Sequence, residues 1–372
     1  MKPPFTPLIN SLPASIPFVA PETIERRQGH RFTTRIGANE SAFGISPKAK
    51  AAIDKEVQSI SHYSDPEWGA LRLALAEQHQ VDPRNISVGA GIDDLLGLAV
   101  RVFLSDGKTA VASLGSYGVF HYHLEGYGVR CLTAPYLENG FNNLEALAKL
   151  ARENEAALVY LSNPDNPAGT RFPEQDIRAF VSALPRSCMV IIDEAYIEFA
   201  PKGTALSSHL LAPNVIQMRT FSKAHGLAGC RIGYAIAAPE VVESFDKVRL
   251  HFNVNRIAQA AALGSLQDTS FIQQVVDQVA QGRTEYEVLG NHLGISTLPS
   301  STNFVNFDAG TQPKAHAILE QLAEHGIFIR KPMAAPLDRY FRVTVGTTEE
   351  RRRFADALPR VLSDVGTLSH ST

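Results

Sequence analysis

The chain has 372 residues, 44% of them hydrophobic and 20% charged, the balance of a folded globular protein with two domains, or one large α/β domain carrying a lobe. A formal charge of −3 excludes the basic footprint of a nucleic-acid binder, and three widely spaced cysteines (Cys131, Cys188, Cys230) exclude a disulfide scaffold or zinc ribbon and suit a reducing compartment. The N-terminus is too often broken by proline for a signal peptide, and no apolar run approaches the roughly 18 residues of a membrane span, so a cytoplasmic protein without membrane partners is expected.

In chain order, residues 1–30 read as an irregular, proline-rich arm. Residues 31–36 alternate as a strand does, and Gly37-Ala38-Asn39-Glu40 reads as a loop. Residues 86–88 form a short strand, followed by the turn Gly89-Ala90-Gly91-Ile92-Asp93-Asp94 and an apolar helix, LLGLAVRVFL. TAVAS, ALVYLS, MVIID, VIQMRT and RIGYAIA are further β-rich runs, several apolar throughout, as strands covered on both faces are. Ile177, Phe180, Val181 and Leu184 fall at i, i+3, i+4 and i+7, one helical stripe. Strands alternating with amphipathic helices predict an α/β fold with a largely parallel sheet.

After about residue 270 the pattern changes to long helices and a βαβ-like ending. Strands are expected at 303–307, 327–330 and 341–345, with a helix over 315–324 stopped by Gly326. The last helix opens at Thr347, with Glu350 at the capping-box spacing. The expected division is an arm and start of a small domain over 1–40, a large α/β domain over 41–270, and a small C-terminal domain over 271–372.

Polar residues gather just after the strands, where ligands bind in open α/β sheets. The turn at Gly91 and Ile92 offers free N–H groups and the positive end of a helix dipole to a phosphate. It is not the nicotinamide fingerprint, because Asp94 replaces the third glycine. Asp93 and Asp94 suit a helix start but would repel a phosphate, so both are expected to face away.

Lys223 follows a strand inside a Ser/Gly-rich turn, and Arg231 lies eight residues later. A lysine desolvated beside cations loses its proton readily and becomes a Schiff-base candidate. Asp193 ends an apolar run, where an unpaired carboxylate is costly. A pyridinium nitrogen is a fitting partner, worth roughly 4 kcal/mol at about 4 Å and an effective dielectric of about 20. Elsewhere the plain readings hold. His121 and His123 alternate without a third ligand, so no metal site is expected. Trp68 reads as a packing residue, and the charges over 349–353 read as a solvated helix start.

YLSNPDNPAG, DEAYIEF, RTFSKAHGLAGCRIGY and YFRVTVGT with its following EE resemble the class I/II aminotransferases of pyridoxal-phosphate (PLP) fold type I, in the histidinol-phosphate aminotransferase branch. The resemblance runs in unbroken order from about Asn39 to the last helix. It implies a mostly parallel seven-stranded sheet flanked by helices, a smaller α+β domain, and a homodimer. Lys223 would carry the Schiff base and move the substrate's α-proton. Asp193 would hold the ring nitrogen, Asn166 and Tyr196 the ring oxygen, and Tyr117 the ring face. Ser222, Arg231 and the N–H groups of Gly91 and Ile92 would hold the phosphate, joined by Tyr63 of the neighbouring subunit. Arg342, with Arg330 as a second cation, would clamp an anionic substrate, and Asn39 lies on the loop approaching it.

Departures from the family pattern fall at Ala90, Ile92 and Asp94 in the glycine turn, and at His225 and Cys230. Gly115 stands where proline is usual, which is expected to loosen the Tyr117 loop. None removes a catalytic group. The implied reaction is transfer of an amino group from an amine or amino acid to a 2-oxo acid. An aromatic or other α-amino acid is an alternative substrate, and decarboxylation of a phosphorylated amino acid an alternative reaction. A non-enzymatic regulatory module is disfavoured by the absent basic patch and the complete Lys223–Asp193–Tyr196–Arg231 set.

Overall fold

Proline begins helices in the segment that the sequence pattern leaves irregular. In the computed structural model, which describes residues 3–14, 19–105 and 107–368, α1 (Pro7–Ser11) and α2 (Pro21–Gln28) both carry proline in their first turn. Proline lacks only an N–H that a helix start leaves unused. β1 (Thr34–Arg35) and the helices α3 (Pro47–Glu56) and α4 (Gly69–His79) follow.

The alternating region then runs β2 (Ile86–Gly89), α5 (Ile92–Phe103), β3 (Thr109–Ser113), α6 (Gly118–Gly126), β4 (Arg130–Ala134), α7 (Leu144–Glu153) and β5 (Leu158–Ser162). It continues through α8 (Glu174–Ser182), β6 (Met189–Asp193), β7 (Val215–Thr220), β8 (Gly233–Ile236) and α9 (Pro239–Asp246). β2 to β8 form one seven-stranded sheet in the order β2-β8-β7-β6-β5-β3-β4. It is parallel except where β8 runs antiparallel to β2 and β7. β4 is an edge strand with partly polar, half-exposed residues, so it gives no clear apolar signal.

The central strands are apolar throughout because both faces are covered. Ile191 and Ile216 pack with Leu95, Phe120 and Phe245 of α5, α6 and α9. Val190 and Ile192, one residue to either side of Ile191, point the other way, onto Leu147, Ile177 and Phe180 of α7 and α8. Beyond α9 come α10 (Arg256–Leu266), which packs on α3, and the long α11 (Thr269–His292). Trp68, fully buried, packs with Leu71, Phe221 and Ala258, and Arg249 lies 4.2 Å over its ring.

The C-terminal part comprises β9 (Phe304–Asp308), α12 (Gln312–Glu324), β10 (Ile327–Phe328), β11 (Tyr340–Thr344) and α13 (Thr348–Leu368). It is not a βαβ unit: β9 pairs antiparallel with β11, and β10 pairs in parallel with β1 near the other end of the chain. Ile36 therefore joins the cluster of Phe304, Phe307, Phe341 and Phe354, and so do Tyr196 and Ala224 from the edge of the large sheet. The capping box forms as expected, with Glu350 N donating to Thr347 Oγ1 at 3.3 Å and Thr347 N to Glu350 Oε2 at 2.8 Å.

The charges at the start of α13 are not all solvated. Arg351 is buried, with Nε 2.7 Å from Glu285 Oε2 on α11 and Nη1 donating to Gly346 O at 2.8 Å. The spacing that puts Arg352 and Arg353 outward turns Arg351 in. Arg351→Ala is expected to destabilise the chain by about 1–3 kcal/mol in chemical denaturation, since it removes the donor to the buried Gly346 carbonyl and the ion pair to Glu285. Arg352→Ala, on the solvent side, should change stability by less than about 0.5 kcal/mol.

Candidate active site

Strand direction assembles the site. β5, β6 and β7 run parallel and end at one edge of the sheet, at Ser162, Asp193 and Thr220, with Ser162 in register with Asp193. β8 runs the other way, so it begins at that edge, with Gly233 opposite both Thr220 and Gly89. The loops holding Asn166, Tyr196 and Lys223, the residue Arg231, and the start of α5 are thus neighbours. The C-terminal part supplies the facing wall: Arg330 bridges Arg342 beside β11, and Asn39 N donates to Thr344 Oγ1. A cavity of about 410 Å³ lies between them.

Lys223 lines this cavity and donates from Nζ to Asn39 O at 3.0 Å, with the amine 5.5 Å from the centre of the Tyr196 ring. Burial, then the Arg342 charge, lower its pKa to about 8. Asp193 is buried, and its carboxylate accepts from Tyr160 Oη at 2.8 Å and Ala195 N at 3.0 Å. Burial raises its pKa to about 6, against the pull of those two bonds. Tyr196 Oη accepts from Asn39 Nδ2 at 3.1 Å, and burial pushes its pKa up to about 12. Asn39, buried at φ 55°, thus touches both the lysine and the tyrosine.

Arg342 donates from Nη1 to Asn166 Oδ1 at 2.6 Å and lies 5.0 Å from the centre of the Phe304 ring. Its buried Nε has no partner among the described residues. Arg330 donates from Nη2 to Val19 O at 2.8 Å, which ties the N-terminal segment to the rim.

The glycine turn differs from expectation in one respect. Asp94 faces away, accepting from Ala90 N and Asn253 Nδ2, but Asp93 turns into the cavity. Its Oδ2 lies 3.0 Å from Arg231 Nη2, and its Oδ1 accepts from Tyr117 Oη at 2.8 Å. The arginine partner makes the inward carboxylate tolerable. Gly91 N donates to Gly89 O, so Ile92 and Asp93 hold the turn's outward donors. Gly91 itself supplies space: at φ +87°, a Cβ there would sit 2.6 Å from Arg231 Nη2.

Gly115 gives its loop a close approach to the C-terminal part. At φ +79° a Cβ would meet Ala334 Cβ at 2.6 Å, so glycine lets the C-terminal part pack closely beside Tyr117. His121 and His123 sit on α6, too far apart around it to share a face, bonded to Ser116 Oγ and Asp93 O.

The cavity gathers Asn39, Ile92, Tyr117, Asn166, Asp193, Tyr196, Ser222, Lys223, Arg231, Arg330 and Arg342. Tyr63 lies outside it, 78% exposed and stacked on Phe252 at 4.5 Å. Tyr160, Ser162 and Glu40 line the cavity without having been singled out from sequence. The period of two in β5 carried a signal for Tyr160, which shares a face with Ser162 one pleat closer to the loop.

A model of the family described as aminotransferase class I and II matches residues 33–358. Histidinol-phosphate aminotransferase 2 from Pseudomonas fluorescens is 34% identical over 333 residues, 88% of this chain and 89% of its own. Histidinol-phosphate aminotransferase from Anaeromyxobacter sp. is 36% identical over 362 residues, 96% of this chain and 98% of its own. The crystal structure of histidinol-phosphate aminotransferase from Sinorhizobium meliloti in complex with PLP superposes with a TM-score of 0.94 at 42% identity, covering 98% of this chain and 99% of that one. The chain belongs to the class I and II aminotransferase family. It is a PLP-dependent transaminase of fold type I.

The residues present fit that cofactor. An amine with a lowered pKa suits its aldehyde, and a buried carboxylate suits its ring nitrogen. The side-chain-free turn at Gly91, uncapped at the start of α5 and next to Arg231, suits its phosphate. In the cofactor-free chain Lys223 reacts only as the free amine. The rate of PLP capture should therefore rise with pH and level off near pH 8 rather than above about 10, as an ordinary lysine would. Stopped-flow absorbance measures it, and a rate still climbing well beyond that plateau contradicts the lowered pKa.

Proposed function

We propose that the chain moves the amino group of histidinol phosphate to a 2-oxo acid. The observation that carries this reading is the placing of Lys223, Arg342 and Arg330 around one cavity, an amine donor's reaction partner beside two cations suited to an anionic group. The names of the relatives support the choice of amine. The absence of any helix long and apolar enough to cross a membrane, among the described residues, is consistent with work in the cytoplasm.

PLP, when bound, supplies an aldehyde and an electron-poor ring that draws electrons from the bond being broken. Lys223 would take the proton from the substrate's α-carbon and deliver it to the cofactor's C4′ carbon, a task suited to an amine with a pKa near 8. Asp193 would pair with the ring nitrogen and favour its proton, an interaction strengthened by the low dielectric around a buried carboxylate. Asn166 and Tyr196 would hold the ring oxygen, and Tyr117 would cover the ring face. Ser222, Arg231 and the backbone N–H groups at the start of α5 would hold the phosphate, with Gly91 providing clearance.

Arg342 pairs with the substrate's anionic group, oriented by Asn166, and Arg330 adds a second positive charge. Asn39 closes the site above the lysine. Tyr63 would reach the phosphate of a neighbouring subunit, in keeping with its exposure, so that the working unit would be a homodimer. The chain is divided into an arm and start of a small domain over 1–40, a large domain over 41–270 and a small domain over 271–372. The arm and the small domain share the Ile36–Phe341 cluster, which supports that division.

Half-reactions with histidinol phosphate, aromatic amino acids and O-phosphothreonine test the reading, followed by loss of cofactor absorbance and by carbon dioxide release. Histidinol phosphate should give the highest kcat/KM with no carbon dioxide. Preferred turnover of another amine, or carbon dioxide release without 2-oxo acid consumption, overturns it. Arg342→Ala should raise KM for the phosphorylated amine with little change in cofactor loading, a loss of about 2–4 kcal/mol in kcat/KM. Mixing Tyr63→Ala with Lys223→Ala chains should restore one competent site per mixed dimer. No recovery on mixing contradicts the shared site.

A further inference from the structure

Among the described residues the Asp193 side chain accepts two hydrogen bonds, and only the one from Tyr160 is donated by a side chain. β5 and β6 set Tyr160 opposite Ile191 and Ser162 opposite Asp193. Alternation therefore puts the Tyr160 ring on the carboxylate's face of the sheet, one pleat behind the cavity edge. Phe120 of α6 stacks on that ring at 4.8 Å and 18°, with both rings buried, which fixes the direction of the hydroxyl. Burial and the neighbouring Asp193 charge hold the phenol's pKa well above 10, so Tyr160 remains a donor throughout the working pH range.

We propose that Tyr160 is a positioning residue: its hydrogen bond to Oδ2 keeps Asp193 a weak enough base that the proton shared with the cofactor's ring nitrogen stays on nitrogen. This rests on the proposed role of Asp193. A carboxylate stripped of a phenolic donor inside protein is more basic, so the shared proton moves toward it. The ring then draws electrons less strongly, and the loss appears where charge develops, in the transition state.

Tyr160→Phe keeps the ring and its stack and removes only the hydroxyl. Wild-type and variant holoenzymes are loaded with PLP carrying nitrogen-15 in the ring, and the nitrogen resonance is recorded. The absorbance of the Lys223–cofactor linkage is titrated with pH on the same samples. In Tyr160→Phe the resonance should move toward that of neutral pyridine and the titration to higher pH. Its kcat should fall roughly tenfold to a hundredfold with KM little changed. A 3-fluorotyrosine at position 160, a stronger donor, should move both signals the opposite way, which keeps the test decisive if Tyr160→Phe folds poorly. Normal loading with an unmoved resonance in both variants overturns the Tyr160 assignment alone. A wild-type chain that takes up no PLP overturns the function, and the inference with it.

Discussion

Asp193 ends β6 inside the protein, and the site is arranged around the need to satisfy a carboxylate that water cannot reach. Burial alone pushes such a group toward its neutral form. Tyr160 and Ala195 each give it one hydrogen bond, and the Lys223 amine across the cavity favours its charge while the Asp93 carboxylate opposes it. The same burial acts in the opposite sense on Lys223, whose charged form it disfavours. Burial in one cavity thus yields a carboxylate and an amine whose proton affinities are brought near each other. The neighbouring Glu194 points to the other side of the sheet and is matched there by Arg219 at 2.8 Å, so consecutive acids have separate partners.

The two parts of the molecule meet at this cavity rather than beside it. Tyr196 and Ala224 from the large sheet pack into the cluster built by β9, β11, α11 and α13. Asn39 links the two, with its carbonyl on Lys223 and its amide between Tyr196 and Thr344. Ala334 against Gly115 is a second close approach. A shift of the C-terminal part would therefore move the two arginines and the loop of Asn39 together, relative to Lys223.

How far the sequence could be read depended on whether the signal was local. The strands TAVAS, MVIID and VIQMRT appear at the positions their apolar runs mark, because a strand covered on both faces must be apolar throughout. The α8 stripe and the Thr347–Glu350 capping box are equally local. Where the deciding partner lay far along the chain, the pattern gave the wrong sign. Arg351 looked solvated among its charged neighbours because Glu285 is 66 residues away. Asp93 looked repelled from an anion site because Arg231 is 138 residues away.

The order of motifs in the sequence was enough to identify the family and the type of cofactor, and residue types placed after successive strands brought Asn166, Asp193, Lys223 and Arg231 to one cavity. Only the tertiary structure decided what each side chain faces. Tyr160 became a partner of Asp193 through the register of β5 on β6, and β1 became a neighbour of β10 across nearly the whole chain. Such pairings rest on packing and strand alignment between distant segments, and no local pattern encodes them.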